Sequence, residues 1–190
     1  MNLKKNYRSI LIVTMILMAA LSRLLPHPPN FTPIGGMALF GAAYFSKKYW
    51  AILVPLIALW ISDLVLNNVI YAAYFDGFSW MGVPMVYAAF ILIALMAGTV
   101  IKNIKPKNLL VASLLASTIF FLVTNLGAWW MNPMYPKSAL GIMEAYIAGL
   151  PFFVNTIAGD LFFTGVLFGS FELLKQRFPM ARTQNSDILA

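Results

Sequence analysis

The sequence predicts an all-α polytopic membrane protein, a six-transmembrane-helix bundle with both termini in the cytoplasm. Of its 190 residues, 61% are hydrophobic and only 10% are charged. Six apolar segments recur along the chain between basic or proline-containing turns. A soluble domain of this length could not bury so many apolar side chains in one core. The composition therefore excludes a soluble enzyme, a disordered chain and a conventional nucleic-acid-binding protein.

The first expected span, residues 9–25, follows three basic residues but ends without a small-x-small cleavage site. We therefore expect a retained helix and not a secretory signal. Residues 26–30 hold three prolines and cannot be helical. The second segment, 33–45, is rich in glycine and alanine. It rises only ~20 Å against a ~30 Å hydrocarbon core, so it is either a short span packed inside the bundle or a re-entrant hairpin.

The remaining spans are expected at residues 50–71, 83–101, 109–130 and 150–174. Polar side chains occur inside these spans at Asp63, Asn67, Asn68, Asn125, Asn155 and Asp160. We expect the sixth span to begin near Pro151, because proline suits the first turn of a helix. The segment before it, 131–145, is expected to be a loop. Residues 1–174 thus form one transmembrane domain, and residues 175–190 form a polar cytoplasmic tail.

Basic residues predict the orientation. With six spans and a cytoplasmic N-terminus, eleven of the thirteen basic residues face the cytoplasm, and only Arg23 and Lys137 face outward. If segment 33–45 were re-entrant, most basic residues would lie outside. The positive-inside rule therefore favours six full spans with both termini inside. The same rule accounts for the net charge of +7 without a nucleic-acid partner.

A layer of polar and ionisable residues is expected in the outer half of the membrane. Helix rise places six side chains from four helices at similar heights, about 20–29 Å from the cytoplasmic side: Arg23, Asp63, Asn67, Asn125, Asn155 and Asp160. Ionisable groups inside a membrane are costly and mark functional sites by default. One interpretation is a substrate pocket that opens outward. The alternative is a buried ion-pair network, Arg23 with Asp63 or Asp160, that only fixes the bundle.

The outer loops add His27, Asn30, Trp80, Trp129 and Trp130 to the candidate substrate-binding residues. Aromatic rings at this depth form either an interfacial belt or a stacking lid over a flat or cationic ligand. The chain has one histidine and no cysteine, so we expect no metal site and no cofactor. No catalytic motif is present, and we expect no enzyme. The one enzymatic alternative is an intramembrane aspartyl hydrolase using Asp63 and Asp160.

Two regions carry a family resemblance: RLLPHPPNFTPIG at 23–35 with ALFG at 38–41, and LPFFVNT at 150–156 with GDLFFT at 159–164. In these the chain resembles a group of small bacterial integral membrane proteins that look like the substrate-binding S-components of energy-coupling-factor (ECF) vitamin transporters. The resemblance implies that outer loops one, three and five hold a vitamin or trace nutrient. It also implies docking on a coupling subunit driven by two ATPases. S-components often dock through Ala-x-x-x-Ala on the first helix, whereas here Arg23 follows Ala19, so action without that module stays an alternative.

We therefore expect a nutrient uptake protein of the bacterial cytoplasmic (inner) membrane, with its substrate pocket open to the outside. Its expected partners are the lipid bilayer, a small-molecule nutrient (a vitamin or a precursor) and, unless it is solitary, an ECF coupling subunit. The alternative from another class is a non-transporting membrane scaffold or assembly protein. In that case the polar layer serves only to hold the helices together.

Overall fold

The computed structural model describes residues 3–178, with side chains described from Tyr7 onward. These residues form six α-helices: α1 (Leu3–Ser22), α2 (Ile34–Tyr44), α3 (Lys48–Val65), α4 (Pro84–Val100), α5 (Pro106–Met131) and α6 (Ala139–Arg177). A π-helical turn, Leu66–Ile70, extends α3, and a 3₁₀ turn, Ala72–Tyr74, follows it. No strand occurs between residues 3 and 178, so the predicted all-helical class is confirmed. Most of the predicted tail, including Arg182, lies outside the described residues.

Three helical segments are long and apolar enough to cross a membrane: Lys48–Ile70, Pro106–Met131 and Ala139–Arg177. Shorter apolar helices cover Tyr7–Ser22, Ile34–Tyr44 and Pro84–Val100. At 1.5 Å per residue, α2 rises only ~16 Å. Length and composition therefore indicate a membrane protein. Six spans were expected, whereas three of the described helical segments are long and apolar enough to cross a bilayer by this measure.

Helix α6 begins at Ala139, whereas the sixth span was expected to begin near residue 150. The Oγ atom of Ser138 caps the helix by accepting a hydrogen bond from the Gly141 backbone N–H, at 3.3 Å. Gly141 packs so closely on the Pro136 carbonyl that a Cβ atom there would clash with it. The expected loop at 131–145 is therefore too long, and Pro151 lies inside the helix instead of in its first turn. The helix also runs through Lys175 to Arg177, into the segment expected to be tail.

Helix α2 forms the centre of the bundle. Residues 34–41 and Tyr44 are buried, and α2 contacts all five other helices. Its glycines permit close approach: a Cβ at Gly41 would lie 2.8 Å from the Ala51 carbonyl oxygen of α3. Phe40 packs edge-to-face against Phe168 and Phe171 of α6, with ring centroids 5.4 and 5.6 Å apart. Segment 33–45 is thus a short helix enclosed by its neighbours, because small residues let other helices surround it.

Contacts between the helices define two ends of the bundle. At one end, loop one (residues 23–33) packs on α6, where Asn155 Nδ2 donates to the Pro29 carbonyl at 2.9 Å. At the other end, the Tyr44 hydroxyl of α2 donates to Glu172 Oε1 of α6 at 2.6 Å. We call these the loop-one end and the Glu172 end. The candidate site residues lie toward the loop-one end.

Candidate functional site

Arg23 forms a buried ion pair with Asp63. Arg23 follows the last turn of α1 and Asp63 lies on α3, and their Nη1 and Oδ1 atoms are 2.7 Å apart. Only 10% of the Arg23 side chain and 7% of the Asp63 side chain are exposed. The same guanidinium nitrogen donates to Ser62 Oγ. Of the two partners considered for Arg23, the structure has Asp63, and a buried charge pair of this kind holds α1 against α3.

Helix α4 completes this cluster. The Tyr87 hydroxyl donates to Asp63 Oδ2 at 2.6 Å. Gly82, just before α4, lies so close that a Cβ atom there would clash with the Asp63 carboxylate. The carboxylate therefore has a cation on one oxygen and a hydroxyl on the other. We call Arg23, Ser62, Asp63 and Tyr87 the Arg23 cluster. Sequence reasoning missed Tyr87, although it is the only ionisable residue in α4.

Loop three (residues 71–83) folds back over the end of α3. Asn68, in the π-helical turn, donates from Nδ2 to the Ser79 carbonyl, and its Oδ1 accepts from the Ser79 backbone N–H, both at 2.8 Å. Asn67 Nδ2 donates to Ser79 Oγ at 3.2 Å. Trp60 Nε1 donates to the Trp80 carbonyl at 2.8 Å. A π-helical turn re-aims side chains within a helix and is frequent at functional sites. Here it directs two consecutive amides into the loop.

A cavity of about 300 Å³ lies beside loop three, at the lower end of the ~300–1,000 Å³ range of small-molecule sites. Two amides and two aromatic rings are among the residues that line it: Asn67, Asn68, Ala72, Phe75, Gly77 and Phe78. Nearby, the Trp80 side chain is 71% exposed, and its ring lies edge-on to Phe78 with centroids 4.7 Å apart. Apolar rings combined with a few polar anchors are typical of small-molecule sites. We call this cavity the loop-three cavity.

Asp160 belongs to a second buried group that contains no described cation. It is 3% exposed on α6, and its Oδ2 accepts a hydrogen bond from Ser117 Oγ of α5 at 2.6 Å. The Gly35 backbone also hydrogen-bonds to this carboxylate, and a Cβ atom at Gly35 would clash with it. Gly35 lies in the first turn of α2, where backbone N–H groups lack helical partners. Because Pro33 provides no side-chain cap, Asp160 acts as the cap of α2.

The two regions that carry the family resemblance pack on each other. Asn155 holds the Pro29 carbonyl, and Gly159 approaches the Phe31–Thr32 backbone so closely that a Cβ would lie 2.9 Å from the Thr32 nitrogen. The Phe31 ring lies 5.7 Å from Phe162 and 5.8 Å from Phe163. Loop one is therefore fixed on α6 by a hydrogen bond, a close backbone approach and aromatic packing.

Two predicted residues of loop one make no contact with the polar clusters. His27 Nδ1 lies 2.9 Å from the Pro28 carbonyl oxygen, within the loop. Asn30 is exposed and has a positive φ of 64°. Asparagine tolerates this left-handed conformation better than most residues. Both residues therefore shape the loop in this structure.

The predicted residues of α5 and loop five (residues 132–138) make local contacts. Asn125 Nδ2 donates to the Phe121 carbonyl at 2.8 Å, and Gly149 of α6 packs directly on the amide. Trp129 Nε1 donates to the Pro136 carbonyl at 2.9 Å, and Lys137 Nζ lies 5.6 Å from the Trp129 ring centroid. Trp130 is 67% exposed. Asn125 thus lies in the α5–α6 contact, and Trp129 holds loop five in place.

The predicted polar layer is therefore divided. Arg23 and Asp63 form one cluster, Asp160 forms another, and the amides of Asn67, Asn125 and Asn155 each bind a different loop or helix. Between residues 3 and 178, no three histidine, aspartate or glutamate side chains are grouped as a metal site would need.

These elements define an all-helical protein of membrane type whose predicted site residues lie toward the loop-one end of the bundle. The chain belongs to a family of unknown function, DUF6580, whose model matches residues 3–181. No curated protein matches the chain, and no solved structure does.

Proposed function

We propose that the protein is a membrane-embedded uptake protein that binds a small nutrient at the loop-one end of the bundle, with that end facing outward. The loop-three cavity is the observation that carries this proposal. Its two rings offer stacking surfaces, and the amide oxygens of Asn67 and Asn68 offer acceptors, while the amide nitrogens hold loop three. The exposed rings of Trp80 and Trp130 are available to contact a ligand that enters from solvent.

The Arg23 cluster lies next to the residues of the π-helical turn that line the loop-three cavity. Asp63 precedes Asn67 by one helical turn, and its partners come from the end of α1 and from α4. A rigid base of this kind keeps the Asn67 and Asn68 amides in fixed positions. Binding sites gain specificity when such anchors are held in place before the ligand arrives. The proposed ligand is a flat, water-soluble molecule such as a vitamin or its precursor.

The proposal includes the orientation of the chain. All six helices lie in the bacterial cytoplasmic membrane, and both termini are cytoplasmic, following the charge distribution. The short helix α2 can take part because the other helices surround it. The resemblance to ECF S-components supports the same orientation, with a coupling subunit and ATPases as the partner unless the chain acts alone.

Calorimetric titration of the detergent-solubilised protein against vitamins and their precursors tests the binding proposal. We expect one member of the panel to bind, and Phe78→Ala to weaken that binding at least tenfold. That factor corresponds to about 1.4 kcal/mol, the scale of a lost stacking contact in a desolvated site. Trp50→Ala is the matched control, because Trp50 is an exposed ring at the other end of α3. Binding by no panel member, or equal losses in both variants, would contradict the proposal.

Cysteine labelling tests the orientation separately. The chain has no cysteine, so Ser46→Cys and Met134→Cys each introduce a unique thiol at an exposed position. In intact cells a membrane-impermeant maleimide should label position 134 and should reach position 46 only after permeabilisation. Labelling of both positions from outside would exclude the six-span arrangement.

A membrane scaffold is the second candidate function, and a specific observation favours it. Arg23, Asp63 and Asp160 all have partners inside the protein, as purely structural groups would. In that case no nutrient binds, and the protein co-purifies with a partner subunit. The hydrolase alternative gains no support, because a catalytic pair of carboxylates must share a proton. Asp63 and Asp160 have no hydrogen-bonding partner in common among the described residues.

A further inference from the structure

A groove of about 330 Å³ runs between α1 and α6, away from the loop-three cavity. Its lining is mainly aliphatic, thioether and aromatic, with three hydroxyl groups. Five residues of each helix contribute: Thr14, Met15, Met18, Ala19 and Ser22 from α1, and Phe163, Val166, Leu167, Ser170 and Leu174 from α6. The groove therefore presents an apolar channel along the side of the bundle.

Helical spacing places basic residues on the helix faces that line the groove, at the Glu172 end. On α1, Arg8 precedes Met15 by seven residues and Ser22 by fourteen, so the three share one face of the helix. On α6, the same spacing relates Arg177 to Ser170 and Phe163. The two faces that form the groove thus each end in an arginine.

One carboxylate, Glu172, lies at this end of the groove. Lys175 follows the groove residue Leu174, and its Nζ lies 2.8 Å from Glu172 Oε1. Tyr44 donates to the same carboxylate, and Arg8 lies near enough to act on Tyr44 electrostatically. With Arg8, Lys175 and Arg177 against Glu172, this end of the groove carries excess positive charge.

We propose that the groove binds one anionic phospholipid. An acyl chain lies against Met15, Met18 and Leu167, and the phosphate lies among Arg8, Lys175 and Arg177. Basic pockets between membrane helices on the cytoplasmic side attract anionic headgroups, and each cation near the surface favours anionic over neutral lipid. Charge complementarity selects this occupant over a second copy of the chain, because a second copy would bring like charges together.

Native mass spectrometry of the full-length protein with added lipid tests the proposal. Phosphatidylglycerol should remain bound at one molecule per chain and raise the melting temperature, and phosphatidylcholine should do neither. Arg8→Gln should reduce the preference for phosphatidylglycerol about fivefold, the effect of losing one cation. Lys102→Gln is the control, because Lys102 is an exposed cation in the connection between α4 and α5. It should leave the preference unchanged.

Filling the groove tests the acyl-chain site. Ser170→Phe should lower lipid retention while the protein keeps its helical content, and Met18→Trp, at an exposed rim position, serves if the first variant does not fold. Equal effects of the two lipids, or equal losses in Arg8→Gln and Lys102→Gln, would overturn the proposal. A dimer that forms without lipid and is broken by Ser170→Phe would also overturn it, because a second copy would then occupy the groove.

Discussion

The two buried aspartates are stabilised in different ways. Asp63 pairs with the Arg23 guanidinium and accepts a hydrogen bond from Tyr87. Asp160 has no described cation beside it and is held by the Ser117 hydroxyl and the Gly35 backbone. The first carboxylate ties three helical segments together by charge. The second caps the central helix α2, where unpaired N–H groups and the helix dipole favour an acceptor.

This difference shows that a count of charges does not reveal how a buried acid is stabilised. The polar layer has one base, Arg23, and two acids, Asp63 and Asp160, so one carboxylate lacks a basic partner. A bound ligand or a coupling ion would be one explanation. A helix N-terminus supplies another, since it stabilises negative charge without any basic side chain. The Arg23 cluster is therefore expected to be sensitive to charge, and the Asp160 group to be sensitive to space and hydrogen bonding.

The largest effect is expected for Arg23→Leu. Removing one member of a buried pair leaves the Asp63 charge uncompensated, which should lower the free energy of unfolding by about 3–5 kcal/mol. Adding Asp63→Asn should restore part of this loss, whereas adding Asp160→Asn should not. Chemical denaturation in detergent micelles measures these three variants against the unsubstituted protein. Equal recovery by the two asparagine substitutions would show that the two regions are not distinct.

Gly35→Ala should have the next largest effect. The new methyl group would collide with the Asp160 carboxylate, which Ser117 holds in place. Overpacking of this kind should lower the free energy of unfolding by roughly 2–3 kcal/mol. Gly165→Ala is the matched control, since nothing lies within 4 Å of a Cβ there. It should be neutral or stabilise α6 by up to ~1 kcal/mol, the difference in helix propensity. A similar change in both variants would mean that contact with Asp160 does not determine the need for glycine at position 35.

Removing the hydroxyl donor of each carboxylate compares the two regions directly: Ser117 donates to Asp160 and Tyr87 donates to Asp63. Ser117→Ala should lower the free energy of unfolding by about 2 kcal/mol, because it leaves a buried carboxyl oxygen without its donor and Asp160 has no described cation to replace that donor. Tyr87→Phe should cost less, about 1 kcal/mol, since Arg23 still pairs with Asp63. Thermal and chemical denaturation of the two variants in parallel measure the difference. A larger loss for Tyr87→Phe would reverse this ordering of the two carboxylates.

The sequence indicated much of the fold because its apolar segments and its prolines are local signals. Helices α2, α4 and α5 begin and end within three residues of the expected spans. Helix α1 begins six residues earlier than expected, and α3 comes within a residue of its expected end only through the π-helical turn Leu66–Ile70. The start of α6 was missed because Pro151 suggested a beginning and the Ser138 cap was overlooked. For the site, matched depth and the cost of a lone charge indicated the pairing of Arg23 with an acid. The Asp160 cap could not be predicted, because it depends on the N-terminus of α2 packing against α6, and no local pattern specifies that contact.

The smallest effect is expected at loop one, which connects the two regions. The loop begins at Arg23 and leads into α2 just before Gly35, and Asn155 fixes its middle by donating to the Pro29 carbonyl. Asn155→Ala should therefore cost about 1 kcal/mol, the net value of one hydrogen bond. Asn30→Gly is the control: glycine accepts the positive φ of 64° at that position, so the loop conformation is preserved and the cost stays within a few tenths of a kcal/mol.

The same substitution tests whether the two regions are coupled. The loss of unfolding free energy caused by Asn155→Ala should be smaller when Arg23→Leu or Asp160→Asn is already present. The decrease should exceed ~0.5 kcal/mol, the usual limit of additivity for independent sites. Such coupling to both backgrounds means that loop one transmits a disturbance of either carboxylate to the other. Additive costs in both would mean that each carboxylate stabilises only its own helices.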